Sequence, residues 1–263
     1  MLPLALAAAY KGSEGEPIYC PFPGLRAMGA YFRRGQLSTV AGPPGVGKTA
    51  FVTSYMLALR PYGQRVLFFS ADSDRGTVSV RVAAAVSGQP MAAVERAMKD
   101  PSSAKDVLQR IERESSHIGY CFDSSPTAEA IRTDIICYAL THGMYPDVIV
   151  IDNLLDIDPE TSGSDSLATT SMMLKGIASE TGAAVIVLHH VTGPYAVGSD
   201  PIPIIGVYGQ ISKPQRLILT LHSPQDGELG VSVVKNSNGP ARPDGSLFTV
   251  IQTDLSCMNF LKG

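Results

Sequence analysis

The stretch AGPPGVGKTAF, residues 41–51, sets a glycine-rich turn directly ahead of a lysine, a threonine and an apolar run. Gly42, Pro43, Pro44, Gly45, Val46, Gly47, Lys48 and Thr49 satisfy the phosphate-binding pattern GxxxxGK[ST] at every fixed position. Glycines let the backbone bend until successive N–H groups point inward at an anion. A helix that begins here adds its positive N-terminal end to the same anion. The pattern assigns Gly42 through Ala50 to a nucleotide's phosphates, Lys48 to the β and γ phosphates, and the Thr49 hydroxyl to Mg²⁺. The flanks agree. Gln36 to Ala41 (QLSTVA) reads as a short buried strand, and Thr49 to Arg60 as a helix stopped by Pro61. Strand, loop and helix follow in the order that a phosphate loop needs.

A chain of 263 residues, 44% hydrophobic and 17% charged, is long enough for one large α/β domain with a sizeable core. The net charge of −3 spreads no global basic field, so a nucleic-acid partner would have to be held locally. Cys20, Cys121, Cys137 and Cys257 are scattered with no CxxC pair, and read as reduced core thiols of a cytosolic protein, not as a zinc site or a disulfide frame. No apolar run reaches membrane-spanning length. The opening MLPLALAAAY lacks a basic n-region, since Lys11 follows it, so a signal peptide is not expected.

Residues 1–22 read as an N-terminal arm whose first ten residues are helix formers and whose remainder, KGSEGEPIYCPFPG, behaves as a linker. Such an arm has two readings: folding back on its own core, or docking on a neighbouring subunit. From residue 23 to 263 one domain is expected, in which strands and helices alternate. Strands are expected over 65–70 (RVLFFS), 117–122, 147–152 (DVIVID) and 183–189 (AAVIVLH), with helices over 76–87, 90–114, 127–141 and 165–180. That alternation implies a mostly parallel sheet covered on both faces. After residue 209 the pattern changes to RLILTLH, LGVSVVK, SLFTVIQT and CMNFL, four strands read as an antiparallel extension. The two long loops, 153–165 and 191–209, follow strands that end on the phosphate-loop side, where open α/β sheets bind ligands.

An apolar strand ending in a carboxylate is the usual partner of a phosphate loop. VIVIDN puts Asp152 at such a tip, where it can hold Mg²⁺ through water. Hydrolysis also needs a carboxylate to orient the attacking water. FFSADSD supplies Asp72 for that role, and Asp74 reads as an ordinary exposed loop carboxylate. A third tip, LHH, carries His189 and His190, which alternate in direction so that only one can face the nucleotide. His190 is assigned to hydrogen-bonding the γ-phosphate; His142 and His222 carry no partner pattern.

The order phosphate loop, FFSADS, VIVIDN, VIVLHH and VVKNSNGP resembles the RecA-like ATPase domain of the DnaB-type replicative helicases and the related RepA-type hexameric ATPases of plasmids and phages. The likeness runs from about Gly24 to Phe260. FFSADS and KNSNGP are its more specific parts, since many ATPases share the phosphate loop. It implies a RecA-like fold, ATP and Mg²⁺ as cofactors, and a ring, expected to be hexameric, acting on single-stranded DNA in replication or recombination. It also implies a motor domain without the primase-interacting domain, in a phage-encoded protein of the host cytoplasm. Carried across by motif, Asp152 is the metal-side carboxylate, and Asp72 falls where the family has its catalytic glutamate, one methylene shorter. His190 falls where the DnaB type has glutamine and the RepA type histidine. The lysine that a neighbouring subunit sends to the γ-phosphate falls on Lys235. The companion arginine falls on Ser237, and Arg216 and Arg242 are the arginines that could take its place.

The family grips DNA with the loops after the VIVIDN and LHH strands. Here neither 153–165 nor 191–209 contains a Lys or Arg, and the first carries Asp156, Asp158, Glu160 and Asp165. Phosphate binding ordinarily relies on basic side chains, although backbone N–H groups also hold phosphates, and Lys213 and Arg216 follow the second loop. Two other functions stay open. A metal-dependent nuclease could use Asp152, Asp156, Asp158 and Glu160. A regulatory ring ATPase would hydrolyse ATP without regard to DNA.

Overall fold

The computed structural model describes residues 15–158, 166–209 and 211–260. The arm's first ten residues and Glu160 lie outside them. Among the described residues nine strands form one sheet: β1 (Leu37–Gly42), β2 (Val66–Ser70), β3 (Ile118–Cys121), β4 (Val148–Asp152), β5 (Ala184–His190), β6 (Leu217–His222), β7 (Glu228–Asn236), β8 (Phe248–Asp254) and β9 (Asn259–Phe260). Their order across the sheet is β3-β2-β4-β5-β1-β6-β7-β8-β9. The α-helices among the described residues are α1 (Pro23–Ala27), α2 (Lys48–Leu57), α3 (Arg75–Ser87), α4 (Met91–Lys99), α5 (Pro101–Ser115), α6 (Ala128–His142) and α7 (Ser166–Thr181).

The central strands are buried on both faces, as their unbroken β-branched runs demand. Alternate residues feed two cores. Val66, Phe68, Val148, Val150 and Ile186 pack with Phe51, Tyr55 and Met56 of α2 on one face. Leu67, Phe69, Ile149, Ile151 and Val187 pack with Ile131 and Ile135 of α6 and Leu174 and Ile177 of α7 on the other. Period-two side chains divide between the layers, so each strand cements both helical layers to the sheet.

Several expectations change. Of the four cysteines read as core thiols, Cys20 and Cys257 are buried, but Cys121 is half-buried and Cys137 is exposed on α6. The stretch read as a linker is part of the domain from Gly15 onward. Ile18, Cys20 and Phe22 alternate inward into the first core, and Phe22 stacks on Phe51 with centroids 4.9 Å apart. The Ile18 N–H donates to the Phe32 carbonyl at 2.8 Å, tying the segment down as an extended strap. Its glycines and prolines masked an apolar alternation. The expected helix over 90–114 is two helices, because Pro101 forces Asp100 into an extended conformation. Asp100 then caps α5, accepting from the Ser103 N–H at 3.1 Å. The helix after the phosphate loop ends at Leu57, and Pro61 sits inside a separate 3₁₀ turn, Arg60–Tyr62.

The antiparallel extension begins one strand later than expected. β6 runs parallel to β1, with Ser38 opposite Leu217, and only β7, β8 and β9 are antiparallel. The long connection after β5 returns the chain to the other end of the sheet, which a parallel neighbour requires and a tight hairpin cannot supply. That crossing lays residues 191–209 over the same sheet end as the phosphate loop.

Candidate nucleotide-binding site

The phosphate loop spans the gap between β1 and α2. Gly45 and Gly47 both take positive φ, 76° and 100°, which side-chain-bearing residues avoid. Gly47 is the residue from which α2 departs, so the helix's unpaired N–H groups open into the cleft. Lys48 is buried, and its Nζ donates to the carbonyls of Gly42 and Pro43 at 3.0 Å each. Burial pushes the ammonium's pKa down, while the carboxylates of Asp152 and Asp72 draw it back up.

β4 delivers Asp152 to the opposite wall. Its Oδ2 accepts from the Thr49 hydroxyl at 2.6 Å. Burial raises the Asp152 pKa, and the Thr49 hydrogen bond opposes that shift. The chain leaving β2 is fastened to the same tip, for the N–H groups of Ala71 and Asp72 donate to the Asp152 carbonyl at 2.9 and 3.4 Å. This brings the Asp72 side chain into a cleft of about 420 Å³ with Lys48, Thr49, Asp152, Arg81 and His190. Asp74 does different work as the cap of α3, accepting from the N–H of Gly76 at 2.7 Å and of Thr77 at 3.1 Å.

The two histidines separate as strand alternation requires. His190 is half-buried in the cleft, its pKa lowered first by burial and then by Lys48. His189 is fully buried. Its Nε2 lies 2.7 Å from the Tyr208 carbonyl, and burial pushes it down to about 4.

Lys235 does not join the cleft of its own chain. Its Nζ donates to the Ser212 carbonyl at 2.6 Å. The Ser237 N–H donates to the Arg216 carbonyl at 2.8 Å, so Arg216 lies beside the place where the family pattern has an arginine. Of the first loop's acidic residues, Asp156 and Asp158 are described, and they do different work. Asp156 closes a capping box with Asn153, and the Asp158 N–H reaches the Pro126 carbonyl at 3.0 Å. Among the described residues no three His, Cys, Asp or Glu side chains gather as a metal cluster. The donor set at the phosphate loop, a hydroxyl hydrogen-bonded to a buried carboxylate beside a lysine, is nevertheless the hard-oxygen chemistry that suits Mg²⁺ with water and phosphate oxygens.

Sequence reasoning missed Arg81. It stands on α3 two turns beyond the Asp74 cap and lines the cleft, with Nη1 donating to the Ser73 hydroxyl at 2.8 Å. The available signal was one arginine amid the small and apolar residues of GTVSVRVAAAV, on the face that begins at the cap. Met91, Leu255 and Met258 were also missed. They form an apolar wall of the same cleft from α4 and from the turn after β8, segments far from the phosphate loop in sequence.

This geometry coincides with a family likeness. The DnaB-like helicase C-terminal domain matches residues 18–203. The chain belongs to that family. It is an ATP hydrolase of the helicase class, built as a RecA-like motor domain. Gene 65 protein of Mycobacterium phage L5 is 34% identical over 250 residues, covering 92% of this chain and 91% of the relative. DNA repair protein RadA of Brucella abortus (strain 2308) is 24% identical over 172 residues, 64% of this chain and 31% of RadA. Among solved structures, an isolated ATPase domain superposes with a TM-score of 0.80 at 17% identity, covering 93% of this chain and 90% of that one. A DnaB-like replicative helicase studied with primase also reaches 0.80 at 17% identity over 95% of this chain, which spans only 62% of that helicase. Both structures carry the fold alone. Among the described residues of this family member no helix is long and apolar enough to cross a membrane.

Proposed function

We propose that the chain is a Mg·ATP-driven motor that moves on single-stranded DNA in replication or recombination, assembled as a ring, expected to be hexameric. The observation that carries this reading is the convergence on one cleft of Lys48, the Thr49–Asp152 pair, Asp72, His190 and Arg81. Gly42 to Ala50 cradle the phosphates with backbone N–H groups. Thr49 and Asp152 hold Mg²⁺, which when bound neutralises charge developing on the phosphate oxygens. Lys48 leaves its carbonyl partners for the β and γ phosphates. Asp72 orients water and accepts its proton, and His190 hydrogen-bonds the γ-phosphate. Arg81 adds a cation from within the same chain. Lys235 acts on a neighbouring copy, with Arg216 beside it. The motor domain takes in residues 15–260, and the arm proper is what precedes them. Relatives of phage origin support a place in the host cytoplasm.

The loops 153–165 and 191–209 are the DNA-facing elements of this reading. A second reading is favoured by one observation: 191–209 carries no cation and exposes Val197 and Ile205. Such a loop suits a ring ATPase indifferent to DNA. Steady-state ATP hydrolysis, with and without single-stranded DNA at low and moderate salt, separates the two. Strong stimulation by DNA supports the motor; appreciable hydrolysis that ignores DNA overturns it in favour of the regulatory ring.

A further inference from the structure

The phosphate loop and loop 191–209 touch at one point that admits no side chain. Gly198 closes the 3₁₀ turn Gly193–Val197 with φ 73°. A Cβ built on it would lie 2.5 Å from Pro43 Cγ. Real Cβ atoms do not approach that closely, so the Gly198 backbone rests directly on the proline ring. Both residues are buried, while their neighbours Val197, Ser199 and Pro44 are exposed. The Ser223 N–H, just beyond β6, donates to the Gly198 carbonyl at 2.6 Å and holds the glycine against the ring. Loop 191–209 is braced at its root as well. The Thr192 N–H meets the Gly206 carbonyl at 2.9 Å, and the Tyr208 N–H meets that of His190 at 3.1 Å. Gly198 thus sits in a loop that is hydrogen-bonded both at this contact and at its root.

Pro43 is also a partner of Lys48, whose ammonium donates to its carbonyl. A phosphate that takes over that ammonium changes what holds the Pro43 peptide. We propose that the Pro43–Gly198 contact is the joint through which nucleotide at the phosphate loop repositions loop 191–209, with Gly198 a positioning residue that acts through Pro43. Its consequence for DNA rests on the function proposed above; the joint itself requires only nucleotide binding. A packed contact of this kind transmits small shifts because neither a proline ring nor a left-handed glycine can absorb them by side-chain rotation.

The chain contains no tryptophan, so Val197→Trp, at a position 84% exposed, places a single reporter beside the joint. Saturating a Val197→Trp protein with a non-hydrolysable Mg·ATP analogue is expected to change its emission. The change is expected to fall at least about fivefold when Gly198→Ala or Pro43→Ala is added, each read at its own saturation. No change in Val197→Trp alone, or a full change retained with either second substitution, overturns the joint. In the unmodified chain, amide hydrogen exchange over residues 193–198 is expected to differ with and without the analogue; identical exchange overturns it too. An intact emission response in a chain that single-stranded DNA fails to stimulate supports the joint and sinks only the DNA reading.

Discussion

The phosphate loop and loop 191–209 lie against each other at the same end of the sheet, yet they are made for different work. The first brings together a lysine, a hydroxyl and backbone N–H groups beside two carboxylates and an arginine. The second carries no Lys or Arg and presents Val197, Ile205 and Tyr208 to solvent. One holds charge in a partly desolvated cleft, where charge–charge energies are large. The other offers no cation, only backbone dipoles, hydroxyls, the exposed carboxylate of Asp200 and apolar surface. Adjacent loops of one motor can therefore differ in whether they carry the charge that attracts a phosphate, and the contrast can be tested from both sides.

The largest effect is expected on the charged side. Lys48→Ala should cut ATP turnover by roughly 10²–10³-fold, the scale for deleting one preorganised charge-stabilising group. Normal turnover in that variant would contradict the assignment of the phosphate loop. Asp72→Asn should preserve nucleotide binding while kcat falls about 10²-fold or more, the scale of general-base catalysis. If kcat stays within a few fold, another group orients the water. Arg81→Ala should lower kcat roughly 10- to 150-fold, the range for losing one charge-assisted hydrogen bond of ~1.5–3 kcal/mol. An unchanged kcat would reduce Arg81 to a brace for Ser73.

The cation-free side is expected to give smaller, telling effects. If DNA is gripped by 191–209 through backbone and apolar contacts, log K against log salt should be shallower than roughly −0.7, the slope for a single neutralised single-strand phosphate. A steeper slope would move the DNA onto Lys213 and Arg216. The smallest effect belongs to the loop's anchor, His189, buried against the Tyr208 carbonyl. Burial lowers its pKa from the ordinary 6.5 to about 4. Between those values the unfolded chain takes up a proton that the folded chain refuses, so stability falls as pH drops through that window. The loss should be on the order of 1–3 kcal/mol. Thermal melts at pH 7 and pH 5, compared with His189→Gln, check the sign; a variant that keeps the wild-type pH dependence removes His189 from the account.

Much of this molecule was legible from its residues because the relevant signals are local. GPPGVGKT dictates a backbone that only its glycines can adopt, and the helix behind it begins where the pattern requires. VIVIDN ends a buried strand in Asp152 and FFSADSD sets Asp72 two residues beyond another, so both carboxylates had to emerge at a sheet end. Strand alternation alone separated His189 from His190.

Tertiary structure decided whatever depends on where distant segments meet. The strap from Gly15 to Phe22 looked like linker until Phe22 found Phe51, because burial of an extended segment depends on what lies opposite it. The direction of β6 followed from the path of a long connection, which hydrophobic periodicity cannot encode. Arg81, Met91 and Leu255 join the cleft from elements that share no local pattern with the phosphate loop. Gly198 is one glycine among 25 in the sequence. Only the fold sets it against Pro43, since a close approach is a property of two chain segments and never of one.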